Sequence, residues 1–267
     1  MVKRFSEWLR SIFPWWLRHY HRFEVHGIEN LPKKGSAIIA PNHSGCWDLD
    51  NFALMSALEQ FKTNNPARKR IWLCYWDKWS IGDNLWSRWV QKFSPIPISL
   101  TGGGIPWNLV DKIVEKGELI AIMPEGHSAA LYEGYRLWKF YPGVIKLHLR
   151  YKIPIIPTAS IGFVQYVPFL TNRYNANAVP PWEGEVPLPL PLPGKLLFHF
   201  GKPLTFEKYY DMESNKDTAF KLATIVRKRV QKLISLYRQK VDREHPLGTK
   251  NRMQYKEGKR KRKKSPI

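Results

Sequence analysis

Apolar residues along this chain come in short runs separated by polar loops, not in one long stretch. Residues 36–40, with Ala37-Ile38-Ile39-Ala40 at their centre, read as a buried strand. Residues 23–28, 70–75, 95–98, 118–123, 153–161 and 195–200 read as further strands. Between them, helical spacing predicts helices over 48–60, 84–93, 106–116 and 143–151, and a long basic one over 216–240. That last helix carries Phe220, Ala223, Val226, Val230, Leu233 and Tyr237 on one face. Strands alternating with helices predict an α/β domain: a mostly parallel sheet flanked by helices.

The ends differ from this body. Residues 1–23 hold no apolar run long enough for a signal peptide or a membrane span. They carry Phe5, Trp8, Leu9, Ile12, Trp16, Tyr20 and Phe23 at helical spacing, with arginines mainly on other faces. Pro14 is expected to split the segment into two short helices. Three tryptophans within nine residues (Trp8, Trp15, Trp16) favour amphipathic aromatic helices lying at a membrane interface over helices packed as core. Residues 24–242 then form the main domain, and 243–267 a basic tail that reads as disordered. Within the domain, residues 179–194 are rich in proline and must be extended. Bordering an acyl-chain groove, touching the membrane and serving as a plain surface connection all remain open for them.

Composition narrows the function classes. The chain has 267 residues, 43% hydrophobic, enough for one large core. Its net charge is +21. The tail contributes ten basic and two acidic residues, a net +8, which leaves +13 on the first 242 residues. So basic a surface attracts phosphates, on lipid or on nucleic acid. Two cysteines, Cys46 and Cys74, exclude a disulfide framework. A cysteine-nucleophile reading of Cys46 beside His43 has little behind it, and no metal-ligand spacing involves His19, His21 or His26.

Candidate chemistry gathers after residue 40. Asn42-His43-Ser44-Gly45-Cys46-Trp47-Asp48 follows the buried strand, where α/β folds place functional loops. Histidine takes a proton near neutral pH, and a carboxylate can fix its tautomer. Alone, a histidine five residues before an aspartate is common and could be a loop histidine and a helix cap. Pro124-Glu125-Gly126, Ile153-Pro154-Ile155-Ile156-Pro157 and Phe200-Gly201-Lys202-Pro203-Leu204 follow in order. Together these blocks, over residues 23–210, resemble the glycerolipid acyltransferase family, relatives of 1-acylglycerol-3-phosphate acyltransferase. The resemblance implies His43 and Asp48 as the catalytic pair. It implies that Asn42, Glu125 and Gly126 contact the acceptor, with Glu125 receiving a hydrogen bond from a hydroxyl.

The resemblance further implies acyl-CoA or acyl-carrier protein as donor, a lipid acceptor, no cofactor and no metal. With the basic surface, it leads us to expect an anionic membrane surface as partner, on the cytoplasmic side, and no specific nucleic acid. Two family arginines, associated with an acceptor phosphate, are replaced. Ser99, Leu100 and Thr101 follow Pro97-Ile98, and His127-Ser128-Ala129 follow Pro-Glu-Gly. Arg136, in a stretch similar to relatives that acylate neutral glycerolipids, is a candidate substitute or a solvated loop charge. A neutral acceptor such as diacylglycerol is therefore an alternative. A non-catalytic protein binding anionic membranes or nucleic acid is another.

Overall fold

The computed structural model describes residues 11–46, 48–63, 70–83, 85–93, 95–99, 104–167, 169–174, 182–187, 190–210 and 215–243. Phe5, Trp8 and Leu9 of the aromatic stripe and the basic tail after Arg243 lie outside them. The main strands are β1 (Glu24–His26), β2 (Ala37–Pro41), β3 (Ile71–Trp76), β4 (Pro95–Ile98), β5 (Leu119–Ala121), β6 (Ile155–Ile161) and β9 (Leu197–Phe200). They form one seven-stranded sheet in the order β1-β9-β6-β2-β5-β3-β4. Every neighbouring pair is parallel except β6 with β9. The expected α/β fold with a mostly parallel sheet is what forms.

Strand β2 lies between β5 and β6 with all its residues buried, which is why its sequence is a continuous apolar run and not an alternation. Helix α1 (Ile12–His21) precedes the sheet, α2 (Leu49–Thr63) follows β2, and α3 (Asp77–Ser80) and α4 (Leu85–Val90) follow β3. Helix α5 (Trp107–Glu115) precedes β5, α6 (Gly143–Tyr151) precedes β6, and α7 (Phe163–Tyr166) follows it. The long α8 (Lys216–Arg243) buries Ala219, Leu222, Ala223, Val226, Val230 and Ile234 and packs on β6. A separate antiparallel pair, β7 (Phe169–Tyr174) with β8 (Trp182–Pro187), was not anticipated. The proline-rich stretch had been read only as extended chain, and β8 occupies part of it.

Of the two short helices expected around Pro14, the described residues hold α1, and residues 1–10 lie outside them. Pro14 sits in the first turn of α1, where an N–H would have no intrahelical acceptor, so its missing donor costs little. The helix has two faces. Phe13, Leu17 and His21 are buried, with Phe13 edge-on to Phe52 of α2 at 6.4 Å. His21 packs beneath Trp16 and Tyr20, and burial lowers its pKa to about 4. Ile12, Trp15 and Tyr20 face outward, Trp15 at 60% exposure. The helix is therefore core on one side and open on the other, and of the described stripe residues Ile12 and Tyr20 are exposed while Trp16 and Phe23 are half-buried.

This division sets a stability test. Leu17→Ala should destabilise the protein by about 2–5 kcal/mol, as for other buried leucines. Trp15→Ala should change stability by no more than about 0.5 kcal/mol. Urea unfolding of both variants measures this. Equal losses would mean that the outer face of α1 is also covered.

Candidate active site

The site forms where loops leave the carboxyl ends of adjacent strands. Chain order runs from β2 to β3 and β4 on one side, returns to β5, then crosses β2 to reach β6. Loops after β2 and β5 thus diverge at a switch point, the usual place for a ligand crevice in an open parallel sheet. The β2–β5 pairing continues beyond the strands. Ile122 donates its N–H to Ile39 O at 2.9 Å and Ala129 donates to His43 O at 3.0 Å. A further parallel bridge joins Ser44 to Ala129. The Asn-His and Pro-Glu-Gly segments, eighty residues apart in sequence, are hydrogen-bonded neighbours.

His43 stands at the centre. Its Nδ1 lies 2.7 Å from Asp50 Oδ2, with the ring 17% exposed and Asp50 fully buried. Asp50 Oδ2 also accepts the Ser44 N–H at 3.0 Å, and Oδ1 accepts the Asn51 N–H at 2.8 Å. This corrects the expectation that Asp48 would hold the imidazole. Asp48 has a left-handed backbone, φ +53°, and its carboxylate accepts the Tyr75 hydroxyl at 3.0 Å and the Asn51 amide at 3.2 Å. Asp50, in the first turn of α2, reaches back to the loop instead. Burial alone would lower the His43 pKa. The charge and hydrogen bond of Asp50, with the charges of Asp48 and Glu125, raise it to about 9. Burial raises the Asp48 carboxyl and pushes the Tyr75 phenol up strongly, so Tyr75 remains a donor.

Glu125 closes the other side. It is 2% exposed. Its Oε1 accepts the backbone N–H of His43 at 3.1 Å and its Oε2 that of Trp138 at 2.7 Å. Burial raises its pKa to about 7 against the opposing effect of these two hydrogen bonds. Its two oxygens tie the histidine loop to the segment after Pro-Glu-Gly. Gly126 makes the turn at φ +72°, and a side chain there would press on the Tyr141 ring at 3.3 Å. Gly45 turns the histidine loop at φ +94° against Phe163 and Val167. Cys46, fully buried behind it, is sealed from the surface, which removes it as a nucleophile.

Asn42 fastens the loop from the other side. Its amide donates to Ser160 O at 2.9 Å and accepts the Ser160 N–H at 2.7 Å, fastening the loop to β6. Arg136 is exposed, between inward-facing Tyr135 and Leu137. His127, at a replaced family position, is 4% exposed and meets Trp138 edge-on at 4.5 Å. Burial lowers its pKa to about 4, so it is uncharged at neutral pH. Ser128 donates its hydroxyl to Gly45 O at 2.8 Å. Among the described residues, His43, Asp48 and Asp50 have ligand atoms within 4.8 Å of one another. A cation there would have to displace the proton shared between Nδ1 and Asp50.

The family model described as acyltransferase matches residues 22–161, over half of the chain. The chain belongs to the acyltransferase family. Uncharacterized proteins of Mycobacterium bovis and Mycobacterium tuberculosis are 27% identical to it over 250 residues, 86% of this chain. A Mycobacterium leprae relative is 26% identical over the same length. This acyltransferase spans 65% of the length of the first two relatives and 63% of the third. Its fold is similar to that of the 1-acyl-sn-glycerophosphate acyltransferase PlsC from Thermotoga maritima. The TM-score is 0.56 at 15% identity, with 88% of this chain and 78% of that chain covered.

Sequence reading of this acyltransferase missed Asp50, Tyr75 and Trp138. Asp50 carried one signal: an acid in the first turn of a helix faces the loop before it. Tyr75 carried another, as it lies near the carboxyl end of β3, the neighbour of β5. Trp138 contributes a backbone N–H, which no residue type announces.

The His43 pair has a pH signature. Its folded pKa, about 9, lies above the ordinary 6.5, so the pair stabilises the acyltransferase fully below pH 6.5. That stability is lost as pH rises through 9. The Tm difference between wild type and His43→Ala should therefore shrink between pH 6.5 and 9. A Tm series across this range on both proteins checks it, and a constant difference would contradict the ion pair.

Proposed function

We propose that this acyltransferase moves a fatty acyl group from an acyl thioester, acyl-CoA or acyl-carrier protein, to a hydroxyl of a glycerolipid or lysophospholipid at a membrane surface. The observation that carries this reading is a histidine hydrogen-bonded to a buried carboxylate in the crevice of an acyltransferase-family sheet. A hydroxyl is a poor nucleophile at neutral pH. With Nδ1–H engaged by a carboxylate, Nε2 of His43 takes the hydroxyl proton from the neutral form of the imidazole, whose share grows as pH rises toward about 9, as the oxygen attacks the thioester carbonyl. The new C–O bond forms, the tetrahedral intermediate collapses with loss of the C–S bond, and the imidazolium returns its proton to the departing thiolate. No acyl-enzyme is needed, and the thiolate leaves without metal assistance.

Membrane association is supported by the outer face of α1. Ile12, Trp15 and Tyr20 are exposed there beside Arg18 and Arg22. The Tyr20 hydroxyl donates to Pro191 O at 2.8 Å, which brings exposed Leu190 and Leu192 of the proline-rich segment next to this face. Apolar groups beside arginines suit the headgroup layer. No helix among the described residues is long and apolar enough to cross a membrane. The cytoplasmic side is the one that presents acyl-CoA and anionic lipid together.

A specific observation favours a neutral or differently headed acceptor over lysophosphatidate. Where relatives carry phosphate-binding arginines, this chain has Ser99 and Ser128, and His127 beside Ser128 is buried and uncharged. Charge-assisted bonds to phosphate are about twice as strong as neutral ones, so their loss weakens phosphate selectivity.

Two experiments test the reading. His43→Ala should lower thioester consumption by purified protein with lipid acceptors about 10²- to 10⁴-fold with the fold retained. Undiminished turnover would remove His43 as the base, and no thioester consumption by the wild type would favour a binding protein. With one acyl-CoA donor, monoacylglycerol, diacylglycerol and other lysophospholipids should compete well with lysophosphatidate. A strong preference for lysophosphatidate, lost on Arg136→Ala, would place the phosphate site at Arg136.

A further inference from the structure

We propose that Asp50, not Asp48, is the positioning residue that fixes the tautomer and direction of the His43 imidazole. This rests on the reading of His43 as the base in acyl transfer. The two aspartates flank Leu49 and differ in every structural respect. Asp50 contacts Nδ1 at 2.7 Å and is held in place by the N–H groups of Ser44 and Asn51. These bonds fix both its oxygens, so the carboxylate cannot rotate away from the ring without losing backbone partners. It also stands at the N-terminal end of the fifteen-residue helix α2, where unpaired N–H groups favour negative charge.

Asp48 is committed elsewhere. One oxygen accepts the Tyr75 hydroxyl from β3, the other the Asn51 side chain. Its left-handed backbone, φ +53°, is uncommon for a residue other than glycine and turns the side chain toward β3. Asp48 therefore ties the loop between β2 and α2 to the end of β3, and it acts on His43 only through charge at a distance. The groups facing His43 are thus Asp50 and Asp48 from its own loop and helix, Glu125 and His127 from the loop after β5, and Tyr75 behind Asp48. Of these, only Asp50 makes a side-chain hydrogen bond with the ring.

The test compares Asp50→Asn, Asp48→Asn and His43→Ala in the full chain. Palmitoyl-CoA serves as donor and monoacylglycerol or lysophosphatidate as acceptor, beside NMR titration of the histidine-labelled proteins. Asp50→Asn should lower kcat about 10²- to 10⁴-fold with little change in KM, and should bring the His43 titration down toward 6.5. Asp48→Asn should cost less than about 10-fold and leave His43 titrating well above 6.5. The proposal is overturned if Asp48→Asn brings the His43 titration down while Asp50→Asn leaves it high. Should Asp50→Asn not fold, Asp48→Asn decides alone: a retained high titration assigns the partner as Asp50, and a fall to about 6.5 overturns it. Full activity of His43→Ala would defeat the reading of His43 as the base, and the titrations would still decide which aspartate holds the ring.

Discussion

The buried carboxylate of Glu125 is the interaction on which the site depends. It accepts one backbone N–H from the loop after β2 and one from the segment that follows Pro-Glu-Gly. Burying a carboxyl group is costly unless its oxygens are hydrogen-bonded, and here both are. In return, two loops that share no covalent connection for eighty residues are locked at one distance. The backbone of His43 is held from below by Glu125, and its ring is held from the side by Asp50. A general base needs this double restraint, because a misplacement of about 1 Å can cost about 10²-fold in rate.

The sheet supplies the frame. Strand β2 is central and paired on both sides, and the loop after it is fastened to both neighbours. Asn42 joins it to β6 through the backbone of Ser160, and the Ala129–His43 bond joins it to the β5 side. Tyr75 adds a tie to β3 through Asp48. The histidine loop thus behaves as an extension of three strands. Asn42 and Glu125, which a motif reading assigns to substrate, build this support.

Much of this was legible in the sequence, for physical reasons that also explain the rest. Continuous apolar runs such as residues 37–40 mark parallel strands covered on both faces, so the α/β class and the place of the loops followed. Helix α6 came out with its expected bounds because Gly143 and the turn before it punctuate the pattern. The β7–β8 pair was hidden because β8 lies in the proline-rich stretch and is built from Glu183, Gly184, Glu185 and Pro187, residue types depleted in strands. The Asp48–Asp50 exchange was hidden because two acids two residues apart cannot be told apart by spacing. What separates them is a positive φ at Asp48 and the start of α2 at Leu49.

The central claim is that Glu125 makes one site of two loops by holding the backbone of His43. Hydrogen exchange of the His43 amide, followed by NMR in wild type and in Glu125→Ala, measures that bond. The account predicts slow exchange in wild type and fast exchange in the variant, with the amides of β2 and β5 still protected. Equal protection of the His43 amide in both proteins would contradict it.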